Sequence, residues 1–123
     1  MSKTAEQVWG EYMQSNKEQN DNWKQLLAED VSFTGPAMQV KGKDAYIETT
    51  EDFFQMVRGF DLKRYVANGD LLVTEVEIKV ATPTGKEIIL DMTEFYETKN
   101  GKIQSVKVHY DAQEFRKEFG MNH

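Results

Sequence analysis

The sequence predicts one α+β domain in which helices cover one face of a curved antiparallel sheet. Two observations lead to this prediction. Apolar residues recur at helical spacing in the first 60 residues, and residues 60–111 then alternate with the period of strands. Helices that precede a run of consecutive strands are typical of α+β domains. We therefore expect a single domain over residues 1–123, with three N-terminal helices on the concave face and a short C-terminal helix.

The first helix is indicated by its start signal. Thr4 to Gln7 has the form of a capping box, in which a hydroxyl and a glutamine side chain satisfy backbone N–H groups at the helix N-terminus. Apolar and aromatic residues at i, i+3, i+4 spacing predict a buried stripe on this helix, formed by Ala5, Val8, Trp9, Tyr12 and Met13.

Two further helices and a short strand are expected before the long strands. Asp21 can cap a second, shorter helix that carries Trp23, and residues 31–33 alternate as a short strand. A third helix is predicted after Gly42. Gly59 is suited to its C-terminal cap, because glycine accepts the left-handed conformation that often ends a helix.

Four long strands follow, joined by tight turns. Asn68-Gly69 and Asn100-Gly101 indicate hairpins, because both residue types accept the positive φ of the turns that connect neighbouring strands. Asp111 can then cap a last helix that carries Phe115 and Phe119. The long strands are expected at residues 60–66, 72–80, 86–99 and 102–111.

The composition narrows the classes of partner. The net charge of −6 comes from 21 acidic and 15 basic residues spread along the chain, so neither nucleic acid nor an anionic membrane is an expected partner. The chain has no cysteine, which excludes disulfides and thiol catalysis. No segment approaches the roughly 18 apolar residues of a membrane span. We expect a cytoplasmic domain that uses neither a metal nor another cofactor.

One acidic residue stands out within the third long strand. Asp91 interrupts the apolar run Ile88-Ile89-Leu90-Asp91-Met92, where a carboxylate is unfavourable unless it faces water or has a function. Two interpretations follow: an acid-base residue with a pKa raised by burial, or a structural aspartate that is solvated or fixed by hydrogen bonds.

Three stretches of the chain together resemble a known family. They are WKQLLAEDVSFTGP at residues 23–36, FYETKNGKI at residues 95–103, and Tyr110-Asp111. The chain resembles the SnoaL-like branch of the nuclear-transport-factor-2-like superfamily, which includes ketosteroid isomerases. The resemblance implies a cone-shaped sheet with an apolar pocket under the helices and a homodimer formed through the outer face of the sheet. It leaves the function open, because this fold supports many activities.

The resemblance also suggests site residues. Tyr12 matches the tyrosine that contributes to the oxyanion hole of ketosteroid isomerases, whereas Gly35 and Thr93 stand where those enzymes have aspartates. Asp91 could be the single acid-base aspartate of SnoaL-type cyclases. The alignment places Thr93 and Phe95 inward, and hence Asp91 with them. The other expected pocket residues are Trp23, Phe54, Val106, Val108 and Tyr110.

These observations leave three functional hypotheses. In the first, the cone binds a small, mostly hydrophobic molecule, and Asp91 and Tyr12 carry out cofactor-free acid-base chemistry of isomerase, cyclase or lyase type. In the second, the pocket belongs to a non-catalytic carrier or sensor of small ligands. In the third, the domain is a dimerisation or assembly module whose cone is filled by its own side chains.

Overall fold

The computed structural model describes residues 3–118, and it has the predicted α+β architecture. The described residues form three α-helices, one 3₁₀ helix and six strands. The strands make up a single curved sheet, with helices on its concave face. The α-helices are α1 (Ala5–Glu18), α2 (Lys43–Met56) and α3 (Gln113–Glu118), and the 3₁₀ helix spans Asn22–Leu26. The strands are β1 (Leu27–Thr34), β2 (Gln39–Lys41), β3 (Val57–Asn68), β4 (Leu71–Ala81), β5 (Glu87–Lys99) and β6 (Lys102–His109).

The sheet is mixed, and this corrects the prediction of a purely antiparallel one. Its strand order is β2-β1-β6-β5-β4-β3. Strands β3 to β6 form the predicted antiparallel meander, whereas β1 runs parallel to β6 and pairs Phe33 with Val106. The short strand β2, which the sequence did not predict, pairs antiparallel with β1. The parallel pair joins segments that lie far apart in the sequence, so no local turn signal could reveal it.

Two of the local sequence signals, a helix cap and a hairpin turn, are confirmed by the structure. The Thr4 hydroxyl accepts a hydrogen bond from the Gln7 backbone N–H, and the Gln7 side chain accepts one from the Thr4 N–H, which confirms the capping box. Asn100 and Gly101 have φ values of 54° and 76°, as a tight hairpin turn requires. The hairpin between β5 and β6 is therefore confirmed.

Other boundaries differ from the prediction. The chain passes directly from α2 into β3, so Gly59 lies within β3 and does not cap the helix. The turn after β3 is centred on Gly69 and Asp70, because Asn68 still pairs with Leu71. The second predicted helix is a 3₁₀ helix, and Asp21 makes no side-chain capping bond. The side chain of Phe115 and all of Phe119 lie outside the part of the chain that the structure describes.

The core lies between the helices and the inner face of the sheet. Helix α1 packs across β3 to β6, and α2 packs on β1 and β2. The five alternate residues of β4 that the sequence predicts to be buried are at most 4% exposed, from Leu72 to Val80. No helix within residues 3–118 has the length and apolar character needed to cross a membrane.

Candidate functional site

The predicted catalytic aspartate faces away from the cone. Asp91 is exposed, and Ile89, two positions earlier on the same face of β5, is 58% exposed. Asp91 lies opposite Glu77 of β4, on the outer surface of the sheet. The predicted inward orientation is therefore wrong, since residues of one parity share one face of a strand. The burial that was expected to make Asp91 an acid-base residue is missing.

Two of the expected pocket residues share this outer face. Thr93 lies two residues beyond Asp91, and the ring of Phe95 meets His109 edge to face at 5.7 Å. The expectation that Thr93 and Phe95 point into the cone is wrong for the same reason of strand parity. Asp91 and Thr93 border a shallow cleft of about 330 Å³ on this surface, together with Lys63, Glu75, Val76, Glu77 and Met92.

The acid inside the cone is Glu94. It lies on the inner face of β5, is only 9% exposed, and accepts a hydrogen bond from Thr74 Oγ1 at 2.9 Å. Among residues 3–118 no lysine or arginine forms an ion pair with it. Burial in this uncharged surrounding raises the pKa of the Glu94 carboxyl, although hydrogen bonds from Thr74 and Tyr96 partly oppose the rise. The site therefore holds a carboxyl group that keeps its proton to a higher pH than an exposed glutamic acid does.

Three tyrosines surround this carboxyl group. Tyr96 follows Glu94 on the inner face, and the hydroxyls of Tyr12 and Tyr46 lie 3.4 Å apart, between α1 and α2. Burial is the main cause that raises the pKa of Tyr46 to about 12, and it places the pKa values of Tyr12 and Tyr96 well above the usual one. All three phenols stay protonated at neutral pH and can act as hydrogen-bond donors.

Three of the residues that were expected around the pocket come together here. The ring of Trp23 meets Tyr12 edge to face at 5.8 Å and Phe54 at 5.9 Å. Trp23 is buried, whereas Phe54 is 39% exposed and forms part of the rim. Tyr12, Trp23 and Phe54, which lie on α1, the 3₁₀ helix and α2, therefore extend from the interior of the cone to its surface. Direct ring contacts also mean that side chains occupy much of this region.

Strand β6 contributes to the same interior. Val106 lies opposite Tyr96, and Val108 lies opposite Glu94. Both valines are 2% exposed, and Tyr110 just beyond the strand is half-buried. These three expected residues thus face inward. They lie on the same side of the sheet as Glu94 and Tyr96, and on the opposite side from Asp91 and Thr93.

Gly35 lies against Val108, which is the β6 partner of Glu94. A Cβ atom at Gly35 would approach Val108 Cγ2 to 2.9 Å, which is closer than real contacts of this kind. An aspartate, which ketosteroid isomerases carry at the corresponding position, would need Val108 to move. Glycine therefore fits this position without such a shift, and Glu94 is the buried acidic residue among the side chains that the structure describes.

An apolar surface leads along the sheet to Glu94. Successive inward residues of β5 are Ile88, Leu90 and Met92, and all are at most 6% exposed. At about 3.4 Å per residue, Ile88 lies roughly 20 Å from Glu94. These three residues have apolar partners on β4, in the pairs Ile88 with Val80, Leu90 with Ile78, and Met92 with Val76. The next inward pair along the two strands joins Glu94 to Thr74. The inner face thus changes from apolar to hydrogen-bonding at the Glu94 row.

Glu94, Thr74 and Tyr46 were absent from the predicted site, although a sequence signal for Glu94 exists. The alternation in β4 places Glu75 and Glu77 on the outer face of that strand. Opposite residues in neighbouring strands share a face, so the pairing of Glu77 with Asp91 puts Asp91 outside and Glu94 inside. Within the described residues, no group of three or more His, Cys, Asp or Glu side chains is arranged to hold a metal ion.

Comparison with solved structures identifies the fold. A candidate SnoaL-like polyketide cyclase from Jannaschia sp. CCS1 superposes with a TM-score of 0.77 at 10% identity, covering 97% of this chain and 93% of its own. A candidate isomerase from Bacillus subtilis gives a TM-score of 0.75 at 18% identity, with 96% and 94% coverage. A candidate SnoaL-like polyketide cyclase from Mesorhizobium loti gives 0.71 at 22% identity, with 88% and 100% coverage. At these identities the likeness concerns the fold alone.

The sequence itself carries the family assignment. No curated protein matches the chain significantly. Residues 12–106, which extend from Tyr12 in α1 to Val106 in β6, match the family model described as a SnoaL-like domain. That range includes Glu94, Thr74 and all three interior tyrosines. The resemblance inferred from the sequence is thereby confirmed, and the chain belongs to the SnoaL-like family.

Proposed function

We propose that this domain binds a small, mostly hydrophobic molecule that carries a carbonyl or hydroxyl group, and that Glu94 exchanges a proton with it. The observation that carries the proposal is the burial of the Glu94 carboxyl without an ion-pair partner among residues 3–118. A carboxyl group with a raised pKa is suited to proton transfer near neutral pH. The chemistry would be of isomerase, cyclase or lyase type and would need no cofactor.

The surroundings of Glu94 support this ligand class. The inner face of β5 from Met92 back to Ile88 is apolar and would bind the hydrophobic skeleton of a ligand. A protonated phenol of Tyr12 or Tyr46 would donate a hydrogen bond to the ligand oxygen as negative charge develops on it. Because the ring of Tyr12 contacts the rings of both Trp23 and Tyr96, binding beside Glu94 would require a shift of these rings.

Deuterium exchange provides a test that does not require the natural ligand. The probe is 2-tetralone, a flat hydrophobic ketone with exchangeable protons next to its carbonyl, followed by proton NMR in deuterated buffer. We expect the protein to accelerate exchange, and we expect E94Q to abolish the acceleration. D91N is the matched control on the outer face of the same strand and should leave the rate unchanged.

The same assay separates the catalytic hypothesis from its alternatives. Tyr12→Phe should lower the rate by about 10²-fold if Tyr12 supplies the hydrogen bond to the developing oxyanion. Loss of exchange in D91N with full activity in E94Q would contradict the proposal. Binding of 2-tetralone without exchange by the wild type would favour a non-catalytic carrier or sensor.

A second proposal concerns the outer face of the sheet, which we expect to form a homodimer. Apolar side chains are exposed on this face, with Val66 at 70% and Ile89 at 58%. Exposed apolar residues in a sheet that faces solvent favour association. Acidic and basic side chains of this face form ion pairs within the chain, Arg64 with Glu75 and Lys63 with Glu77. An exchange of these partners would allow charge pairing between two copies.

Light scattering coupled to size exclusion tests the homodimer. We expect twice the mass of one chain at micromolar concentration, and a shift to one chain mass in Ile89→Lys. Met38→Lys is the control, because Met38 is 41% exposed but lies in the connection between β1 and β2. A wild-type monomer, or dissociation by Met38→Lys and not by Ile89→Lys, would contradict this proposal.

A further inference from the structure

Helix α3 joins two loops that are far apart in sequence. Arg116 donates a hydrogen bond from Nη2 to the carbonyl oxygen of Pro36, in the connection between β1 and β2. Two residues later, Glu118 Oε1 lies 3.2 Å from Lys86 Nζ, in the turn between β4 and β5. One short helix thus bridges the β1–β2 connection and the β4–β5 turn through two polar side-chain contacts, of which the one from Arg116 is partly buried.

The bridged end of the sheet is where the apolar surface begins. Lys86 directly precedes β5, and Ile88 is the first inward residue of that strand. Strand β6 ends at His109, which pairs with Thr93, so β6 does not accompany β5 over residues 87–92. The chain that follows β6 runs through α3 to reach Lys86. Helix α3 therefore lies at the end of the cone from which Ile88, Leu90 and Met92 lead to Glu94.

We propose that α3 is a lid over this apolar end, held closed by Arg116 on the Pro36 carbonyl and by Glu118 on Lys86, and that its opening admits the ligand to Glu94. The role in ligand entry rests on the function proposed above, whereas the opening itself is a property of the protein alone. A helix of six residues is too short to be stable alone, and two polar contacts contribute less than the packing of the core, so α3 can detach while the sheet stays folded.

The absence of cysteine from the chain allows a direct measurement of opening. A single cysteine is introduced as Leu90→Cys, a position 3% exposed on the covered apolar surface. Its rate of reaction with 4,4′-dithiodipyridine, a small neutral thiol reagent, reports access through the end of the cone. Two reference cysteines are measured in parallel. Ala45→Cys reports an exposed thiol on α2, away from the proposed dimer face, and Leu72→Cys, at a position 0% exposed, reports global unfolding.

Arg116→Gln should accelerate the labelling of Leu90→Cys by about tenfold, a usual factor for losing a hydrogen bond from a charged donor. The same change should leave the other two reporters within about twofold. Lys117→Gln is the matched control, because it removes the same charge from the same helix at an exposed residue. Equal labelling rates for Leu90→Cys and Leu72→Cys, or equal acceleration of both by Arg116→Gln, would overturn the lid.

Failure of the lid and failure of the proposed function give different results. If Leu90→Cys labelling responds to Arg116→Gln and 2-tetralone exchange is absent, the lid is retained and the proton-transfer role is rejected. If exchange depends on Glu94 and Leu90→Cys labelling does not respond, the function is retained and the lid is rejected. When both hold, Arg116→Gln without any added cysteine should also change the rate at which 2-tetralone binds.

Discussion

Thr74 and Glu94 lie opposite each other on neighbouring strands, and the Thr74 hydroxyl donates a 2.9 Å hydrogen bond to the Glu94 carboxyl in a buried part of the cone. Thr74 is 0% exposed and Glu94 is 9% exposed. A buried carboxyl group satisfied by a neutral hydroxyl, with no basic partner among residues 3–118, is a strong influence on how the protein responds to pH.

Glu94→Gln should change the dependence of stability on pH. Because burial raises the pKa of Glu94 in the folded state above the reference value of 4.5, its protonated form stabilises the fold below pH 4.5. That contribution is lost as the pH rises through the folded-state pKa. Each unit of the rise corresponds to about 1.4 kcal/mol. The free energy of unfolding of E94Q, relative to the wild type, should therefore increase between pH 4 and pH 8 in urea titrations.

A matched variant separates this effect from general electrostatics. Asp91→Asn removes the same charge from the exposed face of the same strand and should show a much smaller change over that pH range. A stability difference between E94Q and the wild type that is constant from pH 4 to pH 8 would show that Glu94 does not titrate abnormally.

Thr74→Val should destabilise the fold, because it removes the donor that satisfies the buried carboxyl group. Leaving a buried polar group without its partner costs about 1–3 kcal/mol. The substitution should also raise the pKa of Glu94 further, since the hydrogen bond from Thr74 opposes the effect of burial. Urea unfolding measures the first effect, and its dependence on pH measures the second.

Thr93→Val provides the comparison for Thr74. Thr93 is on the outer face of β5 and is only partly buried. We expect this substitution to change the free energy of unfolding by less than about 0.5 kcal/mol, as most surface substitutions do. Equal effects of Thr74→Val and Thr93→Val would mean that the hydroxyl of Thr74 contributes nothing specific.

Tyr46→Phe should protect the protein against alkaline unfolding. The pKa of Tyr46 is raised from 10.0 to about 12, mainly by burial, so the unfolded chain loses this proton first as the pH rises. The stabilising contribution of the neutral phenol is complete below pH 10 and is lost as the pH rises towards 12. Denaturation curves at pH 9, 10.5 and 11.5 should show a shallower decline for Tyr46→Phe. Parallel curves for the two proteins would rule out this contribution.

Two glycine substitutions should have opposite effects. Gly101 has a φ of +76° in the β5–β6 turn, so Gly101→Ala should destabilise the fold by roughly 1 kcal/mol. Gly10 lies in the exposed part of α1, where an added Cβ atom would have no heavy atom of a neighbouring residue within 4 Å. Gly10→Ala should therefore stabilise the fold by about 0.5–1 kcal/mol, because alanine favours the helix more than glycine does. Thermal and urea unfolding of the two variants test both signs.

The sequence contained most of the information about the fold. The capping box of α1, the Asn100-Gly101 turn and the alternation in β4 are local signals, and each predicted its element. The parallel contact of β1 with β6 and the short strand β2 depend on tertiary packing, so no local pattern revealed them. In β3, the bulge between Leu62 and Arg64 changes which residues face inward, and alternation alone could not locate it.

The candidate site was only partly predictable. Helical and strand periodicity bring six of the expected residues to the interior or its rim, namely Tyr12, Trp23, Phe54, Val106, Val108 and Tyr110. Strand β5 has apolar residues on both faces, so its own pattern allowed either orientation, and Asp91 was placed inside in error. The correct choice required the register with β4, which sets Asp91 beside the outward-facing Glu77.

The parallel contact between β1 and β6 determines when the domain can be completed during synthesis. Strand β1 has β2 on one side and β6 on the other, so β1 can pair with β2 early but is enclosed on both sides only after β6, up to residue 109, has left the ribosome. A contact over so long a separation in sequence slows folding and increases the time during which incomplete chains can aggregate. Nascent chains stalled before β6 should therefore remain sensitive to protease in residues 27–41, even though the α1 segment is already available.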